Sequence, residues 1–144
     1  AGYRMWATSR SAEKRARALE LGADQVFEPG ARLPERVDAV METVGQATWA
    51  HSLKALRPGG RIVVSGATSG AVPPAELNRV FFLQLSVVGS TMGTREQLER
   101  LARFLEQTGV RPVIDRTLPL DRAREGFEAM QRGELFGKVV FTLQ

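Results

Sequence analysis

Leu56-Arg57-Pro58-Gly59-Gly60-Arg61-Ile62-Val63-Val64-Ser65-Gly66 is the stretch on which the fold turns. A Pro-Gly-Gly turn leads into an unbroken apolar, β-branched run that ends on a small residue. That pattern predicts a short strand of a parallel sheet, buried on both faces. Just before it, Ala39-Val40-Met41 reads as another strand, opening on Glu42-Thr43-Val44-Gly45. The spacing between them predicts a helix from about Gln46 to Leu56, with Trp49, Leu53 and Leu56 on one face. Beyond it, Gly66-Ala67-Thr68-Ser69-Gly70 is a small-residue loop, Glu76 to Leu83 a short helix, and Leu85 to Val88 the next strand.

The same alternation extends to both ends of the chain. Tyr3 to Thr8 reads as a strand and Ser11 as the N-cap of a helix to Leu21, which Gly22 stops. Val26-Phe27 is a short second strand, and Pro29 to Pro34 is a turn-rich loop. Thr94 with Gln97 forms a capping box, opening a helix whose Leu98, Leu101, Ala102 and Leu105 share a face. After Gly109, a strand is expected over Val113 to Leu118. A helix capped by Asp121 and carrying Ala123, Phe127 and Met130 follows, and Gly133 and Gly137 bracket the turn into a strand from Lys138 to Leu143. Strands alternating with amphipathic helices make the class α/β, with βαβ units. Trp6, Trp49, Met41 and Phe127 are expected in the core.

Composition narrows the chemistry. The chain has 144 residues, 43% hydrophobic and 25% charged, the usage of an ordinary globular domain. With no cysteine, disulfides, thiolate metal sites and cysteine nucleophiles are excluded. No apolar run approaches the roughly 20 residues of a membrane span. The first residues do not read as a secretory leader, so no membrane partner is expected and the cytoplasm is the expected compartment. Basic residues outnumber acidic ones 20 to 16. They are interleaved in runs such as Glu13-Lys14-Arg15-Ala16-Arg17, which reads as a solvated helix face rather than a nucleic-acid surface. His51, the only histidine, has no companion ligands and reads as a surface or cap residue.

Open parallel sheets bind ligands beyond the carboxyl ends of their strands, so chemistry is sought there. Thr8-Ser9-Arg10-Ser11, with Lys14 one turn on, offers hydroxyls and two cations. An acid at that place would bind a ribose 2′-hydroxyl, whereas Ser with Arg suits a 2′-phosphate, whose oxygens a planar guanidinium can grip in a fork. Thr43-Val44-Gly45, Ser65-Gly66-Ala67 and Gly89-Ser90 are small enough for a flat ring to approach a backbone able to bind a carboxamide. No G-x-G-x-x-G turn and no G-x-x-x-x-G-K-S/T occurs.

Taken in order, these pieces resemble the medium-chain dehydrogenase/reductase superfamily, and within it the zinc-type alcohol dehydrogenase and quinone oxidoreductase branches. The resemblance runs from Ala7-Thr8-Ser9-Arg10-Ser11 through Val37 to Gly45, Leu56 to Gly66 and Gln84 to Gly93, ending on Gly137-Lys138-Val139-Val140. It implies the C-terminal, NADP(H)-binding part of an oxidoreductase: a partial Rossmann-like parallel sheet with flanking helices, lacking the first strand and its glycine-rich turn. By resemblance, Ser9, Arg10 and Lys14 face the adenosine ribose and its 2′-phosphate. Thr43, Val44 and Gly45 lie on the adenosine side, Ser65, Gly66 and Ala67 near the nicotinamide half, and Val88, Gly89 and Ser90 hold the carboxamide.

The resemblance further implies that 1–90 is an incomplete dinucleotide-binding domain and 91–144 a segment that returns to the catalytic domain. Catalytic groups, metal ligands and the pyrophosphate site would lie outside this chain, which is then expected to be inactive alone. A homo-oligomer joined along Leu85 to Val88 is expected, as is closure of the first-strand gap by direct pairing of its neighbours or by another chain. Two alternatives stand beside this reading. One is an S-adenosylmethionine methyltransferase, whose Pro-Gly-Gly turn is similar but which generally has an acid where Ser9-Arg10 stands and a terminal antiparallel hairpin. The other is a non-catalytic assembly module.

Overall fold

Local capping decides where the first helix lies. The structure, a computed structural model, describes residues 2–143. Strand β1 (Trp6–Thr8) is followed by helix α1 (Ala12–Glu20) and strand β2 (Gln25–Phe27). Ser11 is extended at φ −83°, ψ 126°, and its hydroxyl accepts the Lys14 N–H. At the other end the Gly22 N–H donates to the Leu19 carbonyl and the Ala23 N–H to that of Ala18. This paired closure needs a residue with positive φ, and Gly22 sits at +99°. β1 and β2 pair in parallel, with Trp6 edge-on to Phe27 at 5.4 Å.

Next come β3 (Val37–Glu42), α2 (Trp49–Ala55), β4 (Leu56–Val64), α3 (Leu77–Phe82) and β5 (Ser86–Gly89), forming a parallel sheet in the order β3-β4-β5. Leu53, Leu56 and Ile62 are fully buried and Leu85 nearly so, with Val37, Val40, Trp49, Val64, Val80 and Leu83 packed around them. Each such side chain contributes about 1.5–3 kcal/mol on leaving water. Beyond Met92 the chain forms a second unit. It holds α4 (Arg95–Thr108), β6 (Ile114–Pro119), α5 (Ala123–Gln131) and β7 (Lys138–Thr142), with β6 and β7 parallel. The Thr94–Gln97 capping box is present in both directions and Gly109 closes α4 at φ +71°. Gly126 of α5 lies against Phe141 of β7, where an added Cβ would stand 2.8 Å from the ring. No helix among the described residues is long and apolar enough to cross a membrane.

Several expectations are corrected. Arg57 to Gly60 do not form a turn between helix and strand; they belong to β4, whose register against β3 shifts between the Val37–Leu56 and Ala39–Arg61 pairs. The bulge follows from the residues. Pro58 has no N–H to give a ladder, Gly59 takes φ +75°, and the Gly59 N–H turns instead to the Leu83 carbonyl at 2.7 Å. α2 begins at Trp49 rather than Gln46, because the Gln46 N–H bonds the Gly70 carbonyl. Asp121 caps nothing: β6 runs straight into a 3₁₀ turn, Leu120–Arg122, that contains it.

Met41 and Phe127 are 66% and 54% exposed, and Trp6 and Trp49 are only half-buried. Met41 alternates along β3 with Val40 and Glu42, which face the covered side, and Phe127 stays more than half exposed although its ring lies 5.6 Å from that of Phe141. The run Ile62-Val63-Val64 is buried at Ile62 and half-buried beyond it, and α4 buries none of its residues. Direct pairing of β1 with β3 does not occur, since β1 pairs with β2 and β3 with β4.

Leu53→Ala removes a side chain with 0% exposure from the centre of the first unit's core. It is expected to cost about 2–5 kcal/mol, read as a lowered urea midpoint in equilibrium unfolding at neutral pH.

Candidate functional site

β1, β3, β4 and β5 all end in loops carrying the residues singled out from the sequence, and the backbone of each loop is held in its own way. After β1, the Ser9 N–H donates to the Phe27 carbonyl at 3.1 Å, extending the β1–β2 ladder by one bond. The Ser9 hydroxyl accepts the Ser11 N–H at 3.3 Å. Arg10 is exposed, and Lys14 half-buried on the first turn of α1.

A residue that the sequence had placed on a solvated face organises this corner. Arg15, with its side chain only 18% exposed, turns back from α1. Its Nη1 donates to the carbonyls of Ser9 (2.6 Å) and Arg10 (3.2 Å), and its Nη2 to Glu28 Oε1 (3.0 Å). Glu28 stands immediately after β2, so this acid near Ser9 and Arg10 is already matched by a cation. The signal was present only as spacing, since Arg15 lies one turn after the Ser11 cap, and a charged run gives no sign of which member turns inward.

After β3 the organising group is Glu42, 3% exposed. Its Oε1 accepts the N–H groups of Val44 (2.8 Å) and Gly45 (3.0 Å) and the Thr48 hydroxyl (2.8 Å). Its Oε2 accepts the Ser52 hydroxyl at 2.5 Å. Burial is the largest single influence and pushes the carboxyl up. The bonds from Ser52, Gly45, Thr48 and Val44 together outweigh it and hold Glu42 below the ordinary glutamate value. In the sequence Glu42 is simply an acid at a strand end; a lone acid in an apolar run, followed by a Gly and hydroxyls at the right offsets, is the clue to its role.

The loops after β3 and β4 are joined. The Ser69 N–H and hydroxyl both donate to the Val44 carbonyl (2.8 and 2.7 Å), the Ala47 N–H donates to the Ser69 hydroxyl (2.9 Å), and the Gln46 N–H to the Gly70 carbonyl (3.0 Å). Gly45 sits at φ +89°, where a Cβ would stand 2.5 Å from the Gly70 carbonyl oxygen. A Cβ on Gly66 would stand 2.8 Å from the Thr43 carbonyl oxygen. Both glycines are therefore required by close approach.

The Val44 and Gly45 N–H groups are taken by Glu42 and the Val44 carbonyl by Ser69, so these groups are closed to a ligand, while the Thr43 side chain is exposed. The N–H groups of Gly66 and Ala67 are different, donating to no protein acceptor among the described residues. After β5, the Ser90 N–H donates to the Val64 carbonyl (2.9 Å), while Val88, Gly89 and Ser90 are exposed, with open space where a Gly89 Cβ would be. His51 reaches the Ala31 carbonyl through Nε2 at 2.9 Å, tying α2 to the loop before β3.

Comparison with known proteins adds a second line. A zinc-binding dehydrogenase profile matches residues 1–107. A zinc-type alcohol dehydrogenase-like protein, YogA, of Leptosphaeria maculans is 31% identical over 99% of this chain and 44% of its own length. An NADP-dependent oxidoreductase, RED1, of Cochliobolus heterostrophus is 31% identical over 76% of this chain and 36% of its own. The crystal structure of an NAD-dependent alcohol dehydrogenase superposes with a TM-score of 0.88 at 34% identity, covering 99% of this chain and 45% of that one. The chain thus spans less than half the length of each of these proteins.

The state of Glu42 has a pH signature. Its folded value lies below the unfolded one, so its contribution to stability is complete above the ordinary value of 4.5 and is lost as the pH falls through the lowered folded value. Urea midpoints measured from neutral pH downward are expected to fall on acidification in the wild type. Glu42→Gln should start lower and lose less over the same acid range, so the two curves converge.

Proposed function

Since this chain belongs to the zinc-binding dehydrogenase family, whose members are NAD(P)-dependent oxidoreductases, we propose that it is the C-terminal, NADP(H)-binding part of an alcohol dehydrogenase or quinone reductase-type enzyme. In this reading 1–90 is an incomplete dinucleotide-binding domain and 91–144 the segment that returns to the catalytic domain. The observation that carries it is the corner after β1. Ser9 and Arg10 stand exposed or half-exposed on a backbone held by Arg15, and the nearby Glu28 is occupied by that same Arg15. An unmatched acid there would repel a 2′-phosphate, whereas this corner presents a guanidinium and a hydroxyl to it.

Each segment then has a distinct task. Arg10 and Ser9, with Lys14, would grip the 2′-phosphate. Thr43 and Val44 would lie against the adenosine, with Gly45 keeping their backbone clear of Gly70. Ser65, Gly66 and Ala67 would face the nicotinamide half, where the open N–H groups of Gly66 and Ala67 are available donors, and Val88, Gly89 and Ser90 would hold the carboxamide. The bound dinucleotide supplies hydride transfer; this chain's residues bind and orient it.

Zinc does not fit the residues of this chain. There is no cysteine, the single histidine is engaged with Ala31, and no group of three or more potential ligands occurs among the described residues. No metal-binding residue is therefore assigned here. Family membership replaces the methyltransferase alternative, and the parallel β6–β7 pair is not the terminal hairpin which that reading wants. β5 is the outer strand of its sheet, with Val87 and Val88 47% and 42% exposed, and pairing of two copies along it is the proposed route to a homo-oligomer in the cytoplasm.

Calorimetric titration of the chain at low salt tests the reading. NADPH is expected to bind more tightly than NADH, and Arg10→Ala to remove about tenfold of that preference, the worth of one charge-assisted hydrogen bond. A preference for NADH refutes the 2′-phosphate assignment, and silence from both nucleotides favours a module that keeps the fold without the ligand. Alone, the chain is expected to show no NADPH-dependent reduction of quinones or aldehydes, measured as loss of nicotinamide absorbance.

A further inference from the structure

Glu42 spans more of the site than any other side chain in it, and the role it takes there rests on the nucleotide reading of these strand ends. Its carboxylate holds the N–H groups of Val44 and Gly45 on one side and the hydroxyls of Thr48 and Ser52, at the start of α2, on the other. That fixes the turn in which the Val44 carbonyl points at Ser69, and Ser69 answers with both its N–H and its hydroxyl. The Ser65 N–H donates to the carbonyl of Glu42 itself at 2.9 Å, so the second loop starts as well as ends on this segment. The two close glycine approaches, Gly45 on Gly70 and Gly66 on Thr43, leave no room for one loop to shift without the other.

We propose that Glu42 is the positioning residue of the nucleotide site: its carboxylate sets the only backbone shape of Thr43–Gly45 onto which the loop Ser65–Gly70 docks. The two loops then meet the dinucleotide as one preformed surface. Such preorganisation raises affinity because the ordering of both loops is completed before the ligand arrives. A neutral amide of the same size cannot substitute, since it offers one acceptor and turns an NH₂ group toward other donors.

Three proteins decide the matter: wild type, Glu42→Gln, and Leu85→Ala, which hollows the core of the same unit without touching either loop. Without nucleotide, amide hydrogen exchange in Glu42→Gln should quicken at least about tenfold at Gln46, Ala47, Ser69 and Gly70, and at Val64 and Ser90 no more than in Leu85→Ala. NADPH affinity should fall at least about tenfold in Glu42→Gln and remain unchanged in Leu85→Ala. Exchange that rises evenly over the whole unit overturns the proposal, as does a local rise with undiminished affinity. A wild-type chain that binds neither NADPH nor NADH overturns the nucleotide reading instead, and the exchange comparison then decides whether Glu42 couples the loops. Should Glu42→Gln fail to fold, Ser69→Ala cuts the same connection at an exposed hydroxyl. The same local pattern is expected from it, and an even rise in exchange rejects the coupling.

Discussion

A carboxylate with 3% exposure, held by hydrogen bonds alone, is the constraint on which this end of the sheet depends. Burying an ionised group costs several kcal/mol unless its lone pairs are satisfied. Glu42 meets that cost with two backbone and two hydroxyl donors. The donors come from both the strand-end turn and α2, so satisfying the charge and shaping the loop are one event. α2 has no side-chain cap of its own, and the Thr48 hydroxyl that could have provided one is spent on Glu42 and the Gly45 carbonyl. A helix of seven residues is marginal by itself. Here the buried carboxylate at its start and the apolar Leu53 beneath it supply what local propensity does not.

Much of the architecture was legible because it rests on short-range rules. Ser11 and the Thr94–Gln97 pair mark helix starts through hydrogen bonds within three residues, and Gly22 and Gly109 mark ends through their positive φ. The alternation of strands and helices follows from hydrophobic period, and parallel pairing follows from the alternation. What was not legible depends on distant partners. Arg57 to Gly60 look like a turn until the Leu83 carbonyl takes the Gly59 N–H and Arg57 pairs with Asp38. Asp121 looks like a cap until Pro119 carries β6 directly into a 3₁₀ turn. Met41 and Phe127 are apolar enough for a core, but only the folded sheet determines which side of β3 and which flank of α5 are covered.

The site shows the same division. Glycines at 45 and 66 read from the sequence as openings for a flat ring, whereas in the structure the space a Cβ would fill is taken by the Gly70 and Thr43 carbonyls. Arg15 and Glu42 have roles that residue type alone does not reveal, because each depends on how the chain turns back on itself as well as on its neighbours in sequence. Arg15 reaches Glu28 across the end of β2, and Glu42 reaches Ser52 ten residues on. Both residues hold in place the segments that carry the exposed side chains. For this reason residue types with little chemical individuality, such as Val44 or Ala67, can still occupy defined places in a site.

The charges at these strand ends are arranged in a way that suits binding an anion better than acid–base work. General acid–base work needs a group that can change protonation near neutral pH while facing the reacting atoms. Glu42 is buried among donors that keep it ionised, and Glu28 is spent on Arg15. Arg10 and Lys14 are basic side chains suited to a phosphate, and the His51 ring is engaged with the Ala31 carbonyl. What remains toward a ligand is mostly small side chains, two hydroxyl-bearing turns and a few open N–H groups, which can orient a planar ring and bind an anion. In the proposed reading such a surface holds the cofactor, and the proton of the reaction is handled by residues other than these.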